Sequence, residues 1–180
     1  MTRYLRKSSV AVILACFSML LTACGFQLRG LVEIPQALQQ LAITTPEKKR
    51  SEIAKPLKRH LQANGVEIVP STAANYQLEI LEESHTRRAA TLSASADIDE
   101  YELTSKVVFL VRNRAGDIII NDQPVSVERT YDYDADNQTA SNSQEALLRN
   151  EMYQQLASQI VRFYTAINPD QEIAPPANED

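Results

Sequence analysis

Two histidines, His60 and His85, are the side chains of this 180-residue sequence suited to proton transfer near neutral pH without a shifted pKa. Neither stands beside a serine or cysteine in a recognisable nucleophile setting such as G-x-S-x-G. His60 follows Lys58 and Arg59 and reads as part of a solvated helix face, and His85 reads as the start of a polar loop. Without a nucleophile–base constellation the chain reads as a non-enzyme. Two separated histidines do not make a zinc site, and four glycines are too few for a phosphate-cradling loop beside ordinary turns, so no metal and no cofactor is expected. The run Asp132-Tyr133-Asp134-Ala135-Asp136-Asn137 places oxygen ligands at alternate positions, as at the start of a calcium loop. Its sixth position is Asn137 where glycine is needed, and its twelfth is Ser143 where a bidentate glutamate is needed, so it reads as a solvated acidic loop.

Basic residues cluster at Lys48-Lys49-Arg50 and at Arg87-Arg88. The first cluster reads as a solvated helix start, although cations there oppose the helix dipole. The second falls within residues 84–97, a Ser-, Thr- and Ala-rich stretch read as a loop between long strands. Two adjacent guanidinium groups there are the candidate ligand-binding residues, because arginine accepts phosphate in a bidentate fork. Formal net charge is -5, which argues against a non-specific nucleic-acid binder. Composition, 44% hydrophobic and 23% charged, fits one globular domain with flanking segments.

The N-terminus carries its own chemistry. Arg3, Arg6 and Lys7 precede an apolar run over 10–20 that is short for a membrane span, and Leu21-Thr22-Ala23-Cys24 follows. This pattern resembles a bacterial lipobox, which makes 1–23 a lipoprotein signal peptide and Cys24 the acylated, membrane-anchoring N-terminus. Removing 1–23 takes three basic residues and no acid, leaving 15 basic against 23 acidic residues, net -8. Cys16 leaves with the signal peptide and Cys24 is consumed by lipid, so the mature fold is held by its core without a disulfide. Gly25, standing where aspartate is associated with inner-membrane retention, points to the outer membrane.

Periodicity supplies the scaffold. Residues 38–43 read as a first strand, and 48–64 as a helix with Ile53, Leu57 and Leu61 in one row and Asn64-Gly65 as its left-handed stop. Pro56 requires the regular helix to start near it or to bend there. Residues 66–69 alternate once, and 76–80 form a period-two strand. Tyr101, Leu103, Ser105, Val107, Phe109 and Val111 share one face of a long strand that turns through 113–117 into a second, with Val125, Val127, Arg129 and Tyr131. Pro124 marks a bulge or an edge in that second strand. After a polar loop over 132–142, Asn142 with Glu145 suggests a capping box. Leu148, Met152, Leu156, Ile160, Phe163 and Ile167 then form one apolar stripe of a helix of about six turns. The expected architecture is α+β, a two-layer sandwich of two helices on a roughly four-stranded mixed sheet. An acidic, Pro-containing tail over 168–180 is expected to be disordered.

The start Cys24-Gly25-Phe26-Gln27-Leu28-Arg29-Gly30, the segment Asn64-Gly65-Val66-Glu67 and the segment Glu151-Met152-Tyr153 together resemble the LPS-assembly lipoprotein (LptE) family. The resemblance makes 24–167 a single domain of that type. It implies an outer-membrane, periplasm-facing lipoprotein that plugs and assists assembly of the LptD β-barrel, binds lipopolysaccharide and helps deliver it to the outer leaflet. The family's lipopolysaccharide-binding basic residues lie before the long hairpin and before the last helix. Here those stretches read Ser93-Ala94-Ser95 and Ala140-Ser141-Asn142, so the role does not transfer, and Arg87 and Arg88 stand in on chemistry alone. The alternative reading is an auxiliary lipoprotein of another ABC-type envelope lipid-transport system.

Overall fold

The computed structural model describes residues 34–45, 51–92 and 97–169. The lipobox, Cys24, the Lys48-Lys49-Arg50 cluster, the Ser93-Ala94-Ser95 stretch and nearly all of the tail lie outside the described residues.

Five strands form one mixed sheet: β1 Gln40–Thr44, β2 Glu67–Ile68, β3 Tyr76–Leu92, β4 Ile98–Asn113 and β5 Ile118–Asp132, in the order β2-β1-β3-β4-β5. Among the described residues two α-helices, α1 Ala54–Ala63 and α2 Gln138–Thr165, complete the α+β fold. β1 runs parallel to β2 and β3, whereas β3, β4 and β5 form an antiparallel meander. The fifth strand, beyond the four expected, is the two-residue β2. A 3-10 turn at Gln36–Leu38 precedes β1, so the first strand starts two residues later than its apolar residues suggest.

Local chemistry explains the boundaries. α1 begins at Ala54, not near 48, and Pro56 falls in its first turn, where a missing N–H costs nothing. The carboxylate of Glu83 on β3 closes that N-terminus, accepting from the N–H groups of Glu52 at 2.9 Å and Ile53 at 3.2 Å and from the Ser51 hydroxyl at 2.8 Å. At its other end Gly65 adopts φ 84°, its N–H donates to the Gln62 carbonyl, and Val66 N–H donates to the Leu61 carbonyl. This pairing satisfies two end carbonyls while Val66 is buried with Leu61. Gly116, φ 96°, makes the corresponding turn between β4 and β5.

The long hairpin matches its sequence pattern: Leu103, Ser105, Val107, Phe109 and Val111 are buried along one face of β4, and Val125, Val127 and Tyr131 along β5. β5 is an edge strand, which accommodates Pro124 opposite Val108. α2 differs from expectation. It starts at Gln138 behind the N-cap Asn137, whose side chain accepts from Ala140 N–H, so Asn142 lies inside the helix and makes no capping box with Glu145. The polar loop shrinks to the few residues before it. Met152, Tyr153, Leu156, Ala157, Ile160, Val161 and Tyr164 form the buried face, Phe163 is exposed, and Ile167 lies beyond the helix end. The buried Tyr164 hydroxyl donates to the Leu38 carbonyl at 2.7 Å, tying α2 to the approach to β1.

Candidate functional site

A bulge between Ile80 and Glu82 resets β3, after which Glu83, His85, Arg87 and Ala89 stand opposite Val107, Ser105, Leu103 and Tyr101 on the helix side of the sheet. The stretch read as a loop from 84 is therefore strand as far as Leu92. Ser, Ala and Arg have little strand preference, but the ladder to β4 holds them extended. The two candidate arginines are consequently separated, because adjacent strand residues face opposite sides.

Arg87 turns to the helix side. Its Nη1 donates to Glu145 Oε2 at 2.7 Å, and its guanidinium carbon lies 4.5 Å from the centroid of the Tyr101 ring. The Tyr131 hydroxyl donates to the same Glu145 oxygen at 2.8 Å, and the Tyr101 and Tyr131 rings stack with centroids 5.9 Å apart. Burial alone would raise the Glu145 carboxyl, but the Tyr131 and Arg87 hydrogen bonds outweigh it and hold the group below the usual carboxylate range. Arg88 turns to the other side and pairs across the ladder with Glu102, Nε to Oε1 at 2.6 Å. No single ligand group can bridge both arginines on one face.

His85 is not in a loop. Its Nδ1 lies 2.7 Å from the Ser105 hydroxyl, the separation of a nucleophile–base pair. Ser105 is fully buried, however, and the imidazole is held below its ordinary pKa by burial first and the Arg149 charge second, against Glu145 and Glu52. The pair therefore lacks substrate access, and its hydrogen bond serves to satisfy a buried hydroxyl. His60, expected on a solvated face, is half-buried between the helices with Nε2 3.3 Å from Gln154 Oε1. In the former calcium-loop candidate, Asp134 Oδ1 accepts from the N–H groups of Asp136 and Asn137, so that carboxylate shapes the turn into α2. Among the described residues there is no group of three His, Cys, Asp or Glu side chains able to hold a metal ion. No described helix is long and apolar enough to cross a membrane.

Arg87 and Glu145 belong to a cleft of about 790 Å³ between α1, α2 and β3, which Glu52, Lys55, Arg59 and Arg149 also line. Arg149 on α2 pairs with Glu52, which precedes α1. The sequence reading missed this cleft. A signal existed: Asn142, Glu145 and Arg149 continue the row of Met152 and Leu156 toward the helix start, a polar extension of the apolar stripe.

The fold and cleft define a two-layer α+β domain with a polar recess and a Ser–His pair whose hydroxyl is buried. The model of the LptE family, described as lipopolysaccharide-assembly, matches residues 38–163, and the chain belongs to that family. It is 25% identical over 171 residues to the LPS-assembly lipoprotein LptE of Pectobacterium atrosepticum, covering 94% of this chain and 91% of that one. Among solved structures it is similar to a minor lipoprotein from Acinetobacter baumannii, with 29% identity, TM-score 0.61, and 73% and 94% of the two chains covered. It is also similar to rare lipoprotein B from Shewanella oneidensis, with 25% identity, TM-score 0.63, and 74% and 98% covered.

Proposed function

We propose that the chain is a non-catalytic lipoprotein of the outer membrane that binds lipopolysaccharide and seats in, and assists the assembly of, an LptD-like β-barrel. In this reading 1–23 is a cleaved signal peptide, the acyl chains on Cys24 hold the 24–167 domain at the periplasmic side of the membrane, and 168–180 is a tail. The observation that carries the reading is the extent of the family match: it runs from Leu38, before β1, to Phe163, near the end of α2, so it follows the whole sheet-and-helix unit. The burial of Ser105 argues against nucleophilic catalysis by the His85 pair. Arg87 and Arg88 are proposed as separate cationic contacts, one toward the cleft and one on the opposite sheet face.

Affinity purification of the full chain from membranes in mild detergent tests this reading. The expected eluate contains an outer-membrane β-barrel and lipopolysaccharide, with mass spectrometry showing a lipid-modified Cys24 at the N-terminus. Recovery of intact chain without any barrel would sink it.

A further inference from the structure

The cleft between α1, α2 and β3 holds more cations than its carboxylates neutralise. Lys55 and Arg59 stand one turn apart on α1, Arg149 comes from α2 and Arg87 from β3, against Glu52 and Glu145. Arg87 is engaged by Glu145 and Arg149 by Glu52, while neither Lys55 nor Arg59 has an ion-pair partner among the described residues. Arg149 Nε adds a donor shielded from solvent with no hydrogen-bond partner among the described residues. Like charges at i and i+4 on a helix repel, and Lys55 in the first turn of α1 also opposes the helix dipole. Neither arrangement benefits the fold, so the surplus calls for an anion. The N-terminus of α1 is not that site, since Glu83 already occupies its N–H groups.

We propose that this cleft binds a phosphomonoester on a sugar. Lys55 and Arg59 make the primary contacts, and the Arg149 and Arg87 guanidinium groups form the walls. A phosphomonoester carries about -1.5 to -2 charge near pH 7, of opposite sign to the surplus of two positive charges among the described residues that line the cleft, which the Glu83 carboxylate at its edge, bound to Ser51 and Glu52, offsets in part. Its three oxygens match the planar forks of arginine and the mobile ammonium of lysine. The volume, about 790 Å³, lies within the range of pockets that enclose small organic ligands, larger than a bare ion needs. Asn142, Asn150 and Gln154 along the α2 wall supply neutral donors and acceptors for sugar hydroxyls. Pro56, Ala146 and Tyr153 are its few apolar lining residues, so the cleft suits a headgroup and offers no channel for acyl chains. The inference rests on the proposed lipopolysaccharide role only for the source of the phosphosugar, not for the chemistry of the cleft.

The test uses the full chain in detergent, titrated calorimetrically with N-acetylglucosamine 1-phosphate and with N-acetylglucosamine as the neutral control. Wild-type protein is expected to bind the phosphosugar and not the sugar, with affinity falling as salt rises. The double variant Lys55→Ala/Arg59→Ala, whose altered side chains are exposed, is expected to keep its melting temperature and lose at least tenfold in affinity. Lys58→Ala, exposed on the same helix but not lining the cleft, is expected to bind as wild type. Absence of phosphosugar binding in wild type, or equal affinity in the double variant, overturns the proposal. A parallel arm with lipopolysaccharide and its phosphatase-treated form separates a lipid headgroup from a free phosphosugar as the source, and preference for the phosphorylated form that the double variant loses supports the headgroup. Barrel co-purification is read separately, so failure of the functional reading and failure of the cleft site give different patterns.

Discussion

One inner sheet face does two different jobs along its length. Near the turn between β4 and β5, Tyr76, Leu78 and Ile80 of β3 and Val107, Phe109 and Val111 of β4 meet the second half of α2 through Met152, Leu156, Ile160 and Tyr164, all buried in one cluster. Past the bulge at Leu81, the same strands present His85, Arg87 and Tyr101 to the first half of α2, which answers with Glu145 and Arg149. The first region loses water wholesale and gains stability in proportion to apolar area. The second keeps water at a cleft and spends its contacts on orienting charge. The bulge is the hinge of the comparison, since it re-aims β3 where the apolar pattern ends.

The sharpest way to test that division is to remove packing from the apolar region. Leu156 is fully buried, so Leu156→Ala is expected to destabilise the protein by about 2–5 kcal/mol through lost transfer energy and a residual cavity. Phe163→Ala on the same helix should cost less, because Phe163 is 40% exposed despite its contact with Phe109. Urea denaturation of both variants measures the difference, and equal losses would mean that the assigned helix face is wrong. Next in size is Tyr164→Phe. The ring stays but the Leu38 carbonyl loses its buried donor, for an expected cost of about 1–3 kcal/mol in the same assay. A cost within error would show that water reaches that carbonyl.

How legible the two regions were differs for a physical reason. The apolar region announces itself locally: Tyr101 through Val111 alternates on β4, and Met152, Leu156 and Ile160 recur at helical spacing. Phe163 falls in the expected stripe because hydrophobicity alone prefers phenylalanine to tyrosine, whereas Tyr164 takes the buried place once its hydroxyl finds the Leu38 carbonyl. Glu145 was read through its local neighbour Asn142, but its partner is Arg87, 58 residues away. The cleft joins residues 52, 55, 59, 87, 145 and 149, and no short motif links positions so far apart in the chain. Arg87 and Arg88 were read as a pair because they adjoin in sequence. Strand geometry, which depends on pairing with β4, puts them on opposite faces.

A smaller effect separates the polar region by pH. Burial first, and Arg149 second, hold the His85 imidazole below its ordinary pKa, so the folded protein resists a proton that the unfolded chain accepts below about pH 6.5. The contribution of His85 to stability is therefore full above that pH and declines as pH falls through the interval down to the folded value. The melting temperature of wild type is expected to fall between pH 7 and 5, and that of His85→Gln to fall less over the same interval. Parallel pH profiles would show that His85 is no more shielded than in the unfolded chain. Leu156→Ala should shift the whole profile downward without changing its shape, since it acts on the other region.

The smallest expected effect is the most discriminating, because it compares neighbours. Arg87 and Arg88 make ion pairs of nearly equal length, 2.7 and 2.6 Å. The Arg88 side chain is 74% exposed, and its pair with Glu102 stands in solvent where salt and side-chain entropy cancel most of the attraction. Arg87 lies over the Tyr101 ring and holds a carboxylate that also accepts from Tyr131. Removing Arg88 therefore leaves groups that water can serve, whereas removing Arg87 leaves a half-shielded Glu145 with the Tyr131 hydroxyl and fewer donors. Arg88→Ala is expected to melt with wild type in both low and high salt. Arg87→Ala is expected to melt a few degrees lower, with the gap persisting in high salt because lost packing on Tyr101 is not screened. The double variant should match Arg87→Ala alone, since the two side chains occupy opposite faces and share no partner. Equal shifts for the two single variants would erase the distinction between the faces of β3 and return both residues to one solvated surface.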